Sequence, residues 1–152
     1  MKCSILGDIL LACSLLFFLM FGSAPVGAKK FMRCELAKKL LQEYSFNGSL
    51  LSSWICMIEH ESNLDTSKVT PKRNGSSNYG LFQISSKEWC GRDREAGLCM
   101  RKCSDFTDDN IDDDVECAKR IFDRDGFKHW QGWNRSCRNL INLPKLKILC
   151  NT

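Results

Sequence analysis

Cysteine content constrains this chain more than any other feature of its sequence. Ten of its 152 residues are cysteine, and eight of them follow an apolar N-terminal segment. An even number of cysteines in a small exported domain predicts a disulfide framework. Spacing alone does not give the connectivity, because eight cysteines allow roughly a hundred pairings. A zinc cluster of Cys99, Cys103 and Cys117 is the alternative, which an oxidising compartment disfavours.

The N-terminal segment predicts export. Lys2 gives a positive start, residues 9–21 are almost entirely apolar, and Val26-Gly27-Ala28 offers small residues for cleavage. This pattern is typical of a secretory signal peptide, and the apolar run is too short to span a bilayer. A retained anchor is the alternative. We expect a signal peptide at residues 1–28 and one domain at residues 29–152.

The charge of the mature domain excludes one class of partner. Removing the signal peptide leaves the formal net charge at +4, because Lys2 and Asp8 cancel. This modest excess suits an anionic polymer or surface, but it is too weak and too mixed for a nucleic-acid-binding domain. We therefore expect a secreted, extracellular monomer with no nucleic acid partner and no membrane span.

Apolar periodicity predicts a mainly helical domain. Three segments repeat apolar residues at the spacing of one helix face. The first helix covers about residues 35–44, the second has Ser49 as N-cap and ends near Glu61, and the third begins near Ile111. Between the last two, Asn74-Gly75 predicts a tight hairpin turn. The fold class is α+β, with a helical lobe and one small antiparallel sheet.

Glu61 is the first candidate catalytic residue. It ends the apolar stripe of the second helix, at the border between a buried helix face and an exposed hairpin. A carboxyl group that loses solvation at such a border retains its proton longer, as a general acid requires. The simpler interpretation is a solvated surface charge, the usual state of a glutamate at a helix end.

Several motifs together resemble the c-type lysozyme family. They are Lys29-Lys30-Phe31-Met32-Arg33-Cys34-Glu35-Leu36-Ala37, Glu61-Ser62-Asn63, Tyr79-Gly80-Leu81-Phe82-Gln83-Ile84, Trp89-Cys90, Cys117-Ala118-Lys119-Arg120-Ile121, and Trp130 with Trp133. The resemblance spans the mature chain and includes all eight cysteines in family order. It implies a lysozyme-like fold with four disulfides, which are Cys34–Cys150, Cys56–Cys137, Cys90–Cys103 and Cys99–Cys117. It also implies a cleft between two lobes that binds the β-1,4-linked N-acetylated sugars of bacterial peptidoglycan, and an antibacterial role.

The resemblance assigns catalytic positions residue by residue. Glu61 matches the family's general acid, and Trp130 matches the indole that shields it. The family's second carboxylate is Asn78 here, and an amide cannot act as an anionic nucleophile; a role in hairpin hydrogen bonding is the simpler interpretation. We expect a glycosidase of reduced rate, and the alternative is an inactive glycan-binding relative. A partner-modulating protein like α-lactalbumin is disfavoured, because α-lactalbumin lacks the acid kept here as Glu61.

The sugar-binding positions combine retained and altered residues. The predicted substrate-binding residues are Gln83, Ser85, Trp89 and Trp130. Among these, Ser85 replaces an amide of the family. Two further positions also depart from the family: Glu88 replaces an aromatic residue, and Arg124 stands where vertebrate relatives carry an acid. Losing a ring and adding charges should weaken the outer sugar subsites.

Residues 105–114 contain six acidic side chains at the start of the third predicted helix. One interpretation is that they favour the helix N-terminus and remain in water. The other is calcium, a hard cation that prefers six to eight oxygen ligands. The segment resembles the calcium loop of α-lactalbumin and the calcium-binding lysozymes. The resemblance implies a structural Ca²⁺ held by carboxylates of Asp108, Asp113 and Asp114 and by backbone carbonyls of Asp105 and Asn110, with no cofactor needed for catalysis.

Overall fold

The computed structural model describes residues 27, 29–139, 141 and 143–151. The segment predicted to be a signal peptide, including its cleavage residue Ala28, lies outside the described residues apart from Gly27. Within the described part of the chain, no helix is both long enough and apolar enough to cross a membrane.

The structure has the predicted α+β architecture. Its α-helices are α1 (Arg33–Gln42), α2 (Leu51–Ser62), α3 (Asp112–Asp125) and α4 (Leu146–Cys150). Its strands are β1 (Val69–Pro71), β2 (Ser77–Tyr79) and β3 (Ile84–Ser85). Two 3₁₀ turns cover Cys103–Thr107 and Phe127–His129, and a π-helical turn covers Trp133–Cys137.

Helix α1 lies two residues upstream of its predicted position. Its start is earlier because a Glu35 carboxylate oxygen accepts a hydrogen bond from the Met32 backbone N–H at 3.2 Å, so Glu35 lies within the first turn. Its end is earlier because Ser45 adopts a left-handed conformation with φ of 54°. The Tyr44 hydroxyl then donates to Asp112 at 2.7 Å, which ties the end of α1 to α3.

The prediction that Ser49 caps α2 is wrong. The N-cap residue is Leu50, which makes no side-chain capping bond. The Ser49 backbone N–H and hydroxyl instead both donate to the Asn47 side-chain oxygen, at 2.9 and 2.7 Å. This local turn uses the hydroxyl that would otherwise have capped the helix.

The sheet is a three-stranded antiparallel meander in the order β1-β2-β3. Thr70 on β1 and Ser85 on β3 both face Asn78 on the middle strand. The predicted tight turn joins β1 to β2, where Gly75 has a positive φ of 79°. The register therefore sets Asn78 and Ser85 side by side on adjacent strands.

The core lies between the helices and the loop that joins β2 to β3. Its largest members with almost no exposure are Trp89, Phe82, Phe106, Leu36, Leu40, Ile55, Met57 and Ile58. The apolar faces that periodicity predicted in α1, α2 and α3 all point into this cluster. Burial of these faces provides the main stabilisation of helices that would be marginal alone.

Four disulfides link the described chain: Cys34–Cys150, Cys56–Cys137, Cys90–Cys103 and Cys99–Cys117. This is the pairing that the resemblance implies. The zinc alternative is excluded in this structure, because the sulfurs of Cys99, Cys103 and Cys117 are all covalently paired.

Loss of the Cys34–Cys150 disulfide should lower the free energy of unfolding more than loss of any other single disulfide. Its sequence separation is 116 residues, against 13 for Cys90–Cys103. In the chain-entropy account, we expect replacement of both cysteines by serine to lower the free energy of unfolding by about 4–5 kcal/mol for the first pair and about 3 kcal/mol for the second. Guanidinium unfolding of the two double variants measures both free-energy changes. A larger decrease for the Cys90–Cys103 pair would contradict the chain-entropy account.

Candidate active site

A cleft of about 470 Å³ lies between the sheet and the helices. Its wall on the sheet side is formed by Lys72, Asn74, Ser76, Asn78, Gln83, Ser85 and Lys87. Its wall on the helical side is formed by Glu61, His129, Trp130 and Gln131. The cleft therefore brings together five of the six predicted catalytic and sugar-binding residues, all except Trp89.

Glu61 lies on the last turn of α2, half-buried at the cleft wall. Its Oε1 accepts a hydrogen bond from the backbone N–H of Gly132 at 2.5 Å. No other hydrogen bond in the described part of the chain reaches the carboxyl group, so Oε2 has no protein partner there. A single backbone donor thus orients the carboxyl group and distinguishes its two oxygens.

Gly132 allows this contact because it has no side chain. A Cβ placed on this residue would lie 3.0 Å from Glu61 Oε1 and 3.0 Å from the His60 Cβ. Such distances are tighter than ordinary van der Waals contact. Sequence reasoning missed Gly132, although a glycine between Trp130 and Trp133 is a signal of close backbone approach.

Trp130 connects the helical wall of the cleft to the sheet side. The residue is only 2% exposed, and its indole Nε1 donates to the Phe82 carbonyl at 2.8 Å. Its ring packs edge-on against Trp54, with 5.5 Å between centroids. The indole is therefore held rigidly, and it lines the same cleft as Glu61.

Asn78 lies on the middle strand and lines the cleft opposite the helical wall. Among the described residues, no hydrogen bond involves its side-chain amide, whereas its backbone is paired within the sheet. The amide is therefore available to a molecule in the cleft. It contributes no charge there.

Gln83 lines the cleft but is almost entirely buried, with only 3% of its surface exposed. Its side-chain amide donates to the backbone carbonyls of Lys68 and Gly80 at 2.9 and 3.0 Å. Its Oε1 accepts from the Thr70 hydroxyl at 2.6 Å. These bonds lock β1 to the turn before β3, so the side chain positions the floor. Ser85 also lines the cleft and is more exposed than Gln83.

Trp89 does not line the cleft; it is 1% exposed and covered by charged residues. The Arg124 guanidinium lies 4.2 Å from the indole centroid and forms two bonds to the Glu88 carboxylate, at 2.6 and 3.0 Å. The pKa of Glu88 is held below its ordinary value by the bond from Arg124. The pKa of Asp125 is lowered in the same way by Arg124 and further by His129. The two family departures, Glu88 and Arg124, therefore contact each other.

The acidic segment forms a second polar pocket at the start of α3. Asp108, Asn110 and Asp113 line it together with Arg101, Asp112 and Glu116. Asp114 is buried, and neither of its carboxylate oxygens has a hydrogen-bond partner among the described residues. Burial raises the pKa of Asp114 well above its ordinary value, and the charges of Asp113 and Asp108 raise it further. Burial also raises the pKa of Asp113.

Asp105 differs from the other acids in this segment. Its Oδ2 accepts a hydrogen bond from the Lys102 backbone N–H at 3.0 Å, which fixes the start of the 3₁₀ turn Cys103–Thr107. The Ser104 hydroxyl donates to Oδ1 at 3.5 Å, so both carboxylate oxygens are engaged locally. This arrangement is compatible with the predicted use of the carbonyl alone.

Comparison with known proteins identifies the family. The sequence profile of the C-type lysozyme/alpha-lactalbumin family matches residues 29–147. A lysozyme of Bombyx mori is 43% identical over 115 residues, covering 75% of this chain and 83% of that protein. The milk isozyme of lysozyme C from Canis lupus familiaris is 43% identical over 129 residues, covering 81% of this chain and 99% of the other. The crystal structure of a calcium-binding lysozyme from equine milk superposes with a TM-score of 0.68 at 40% identity, covering 82% of this chain and all of the other.

The fold is that of a lysozyme-like protein. The chain belongs to the C-type lysozyme/alpha-lactalbumin family.

The role of Gln83 as a positioning residue can be tested by stability. Gln83→Ala leaves two backbone carbonyls and one hydroxyl without their buried partner, so we expect the free energy of unfolding to fall by about 2–3 kcal/mol. Gln131→Ala is the control, because this glutamine is exposed on the cleft wall and should change stability by less than about 0.5 kcal/mol. Equal effects of the two substitutions in urea unfolding would contradict the positioning role.

Proposed function

We propose that the chain is a secreted, lysozyme-like glycoside hydrolase that cleaves β-1,4 links of bacterial peptidoglycan at a reduced rate. The observation that carries the proposal is the oriented carboxyl group of Glu61, held by the Gly132 N–H beside the buried Trp130 in a cleft. Four disulfides support an extracellular site of action, because such bonds persist in oxidising compartments.

Glu61 is the proposed general acid. With Oε1 engaged by a backbone donor, a proton on Oε2 would be transferred to the oxygen of the leaving sugar as the glycosidic bond breaks. Lysozymes are themselves the standard example of a glutamic acid kept protonated against an indole and paired with a second carboxylate, so this assignment is taken from the family.

Asn78 removes the second half of that pair. A neutral amide neither attacks the sugar as an anion nor balances the positive charge that develops on it. Loss of one preorganised electrostatic stabiliser costs on the order of 10²–10³ in rate, about 3–4 kcal/mol. Enzymes lower barriers by roughly 8–23 kcal/mol in all, so acid catalysis by Glu61 leaves room for slow turnover. The 2-acetamido group of the substrate is a further source of assistance, as in other glycosidase families.

A catalytically inactive, glycan-binding protein is the second candidate function. It is favoured by the free side-chain amide of Asn78, which offers both a donor and an acceptor to a sugar in the cleft. Glu61 distinguishes the two functions, since binding alone does not require an oriented proton donor.

Lysis of bacterial cell walls by purified variants separates these functions. We expect slow lysis by the wild type, loss of lysis in Glu61→Gln, and a gain on the order of 10²–10³ in Asn78→Asp. Asn139→Asp is the matched control, because it adds the same charge at an exposed residue that does not line the cleft. An inert wild type together with an active Asn78→Asp would establish the binding function instead.

We also propose that the acidic pocket holds a structural calcium ion. The donor set fits such an ion, because Asp108, Asp113 and Asp114 offer carboxylates and the carbonyls of Asp105 and Asn110 offer neutral oxygens. The two unpartnered oxygens of buried Asp114 support this proposal, since a buried charge is costly without a partner. A bound cation would supply that partner and join the start of α3 to the 3₁₀ turn before it.

Replacing Asp114 should have opposite effects with and without calcium. In chelator, we expect Asp114→Asn to melt higher than the wild type, because the substitution removes a buried charge. In millimolar calcium, we expect the variant to melt at a lower temperature than the wild type. Calcium at a hundredfold excess over its Kd would stabilise the wild type by about 2.7 kcal/mol, which raises its Tm by roughly 5–10 °C. Calorimetry measures both.

Asp123→Asn is the control for this experiment, because Asp123 is an exposed acid on the same helix and is not a proposed ligand. It should respond to calcium as the wild type does. A wild-type Tm that is identical in calcium and in chelator would dismiss the site.

A further inference from the structure

An ion pair beside one end of the cleft joins the sheet side to the helical side. Glu88 follows β3 on the sheet side, and Arg124 lies on the last turn of α3 on the helical side. The guanidinium donates to both carboxylate oxygens, from Nη1 at 2.6 Å and from Nη2 at 3.0 Å. This bidentate pair, here named the cleft-end ion pair, is the strongest geometry available to an exposed arginine and glutamate.

The position of the cleft-end ion pair follows from its neighbours. On the sheet side, the cleft lining reaches Lys87, the residue before Glu88. On the helical side, it reaches His129, whose Nδ1 lies 3.0 Å from Asp125 Oδ2. Arg124 donates to that same Asp125 oxygen at 2.7 Å. A continuous chain of polar contacts therefore runs from Glu88 through Arg124 and Asp125 to His129, which lines the cleft.

The cleft-end ion pair also covers Trp89. Arg124 lies 4.2 Å from the indole centroid, so the guanidinium covers a ring face that a sugar would otherwise stack upon. His129 packs edge-on against the same ring, with 5.7 Å between centroids. The indole Nε1 is buried without an acceptor in the described part of the chain. The closed arrangement thus leaves unused both an aromatic face and a hydrogen-bond donor.

The cleft-end ion pair is easy to open. Both side chains are substantially exposed, at 40% for Arg124 and 46% for Glu88. Exposed ion pairs are weak and are screened by salt. Opening this pair would remove a small electrostatic stabilisation and would allow a sugar to contact Trp89. Whether the pair opens therefore depends on whether a bound glycan is long enough to reach beyond His129.

We propose that Glu88 and Arg124 determine the length of glycan that the cleft accepts, by covering Trp89 and excluding sugars from that end. This inference rests on the proposed glycan-binding cleft. Short oligomers bind in the open part between Asn78 and Trp130 without disturbing the pair. Longer oligomers must displace Arg124 from the indole, so extra sugars add little affinity in the wild type.

The experiment compares binding of β-1,4-linked N-acetylglucosamine trimer and hexamer by calorimetry. In Arg124→Gln and in Glu88→Gln, we expect hexamer affinity to rise about three- to tenfold while trimer affinity stays constant. Arg124→Lys should give an intermediate result, because lysine keeps the charge but loses the planar fork and the stacking. In the wild type, 0.5 M salt should shift hexamer affinity in the same direction, and the shift should vanish in Arg124→Gln.

Lys39→Gln and Glu43→Gln are matched controls, because they break another ion pair with the same changes of charge on the exposed side of α1. A second readout needs no ligand: hydrogen exchange of the Trp89 indole N–H, assigned with Trp89→Phe, should accelerate in Arg124→Gln but not in Lys39→Gln.

The possible outcomes are distinct. Oligomer binding with an unchanged ratio of hexamer to trimer affinity in all variants would overturn this inference and leave the proposed function intact. Accelerated indole exchange with an unchanged ratio would overturn it as well, since the pair would then cover Trp89 without limiting glycan length. Binding of neither oligomer by any variant would overturn the glycan-binding cleft and this inference together.

Discussion

The cleft depends on a cluster of aromatic rings centred on Trp54. This indole lies on α2, and its ring centroid is 4.9 to 6.1 Å from those of Phe46, Phe82, Phe122, Phe127 and Trp130. These contacts reach the segment after α1, the loop before β3, helix α3 and the following 3₁₀ turn. Packed aromatic rings resist deformation, because protein interiors are as dense as organic crystals. Through this cluster, α2 fixes both Glu61 at its own end and Trp130 on the neighbouring wall.

Much of the fold could be predicted from the sequence, because apolar residues recur along one face of three helices that are 10, 12 and 14 residues long. The helix ends could not, because they depend on single side chains. Glu35 bonds to the Met32 backbone and moves the start of α1, and Asn47 captures Ser49 before it can cap α2. Such contacts form between residues only two or three positions apart, and apolar periodicity carries no information about them.

The candidate site also contains residues that the sequence predicts and contacts that it does not. Glu61 was predictable because it ends an apolar stripe, and the family resemblance supplied its partners in the cleft. Two contacts were not predictable. Gly132 lies 71 residues from Glu61 in sequence, and Arg124 lies 36 residues from Glu88, so only the folded chain brings each pair together. Considered alone, Glu88 and Arg124 each predicted weaker sugar binding at this end of the cleft. Together they form one interaction of opposite charges.

Asn78 has no comparable compensation. Among the described residues that line the cleft, Glu61 is the single carboxyl group, whereas Lys72 and Lys87 both carry positive charge. A cleft with this balance favours anionic groups on a bound glycan. The same balance opposes the positive charge that develops on the sugar when a glycosidic bond breaks, because no carboxylate stands at Asn78 to offset it. In the proposed hydrolase, the electrostatics of the cleft therefore favour glycan binding over cleavage, and turnover would depend on proton transfer from Glu61.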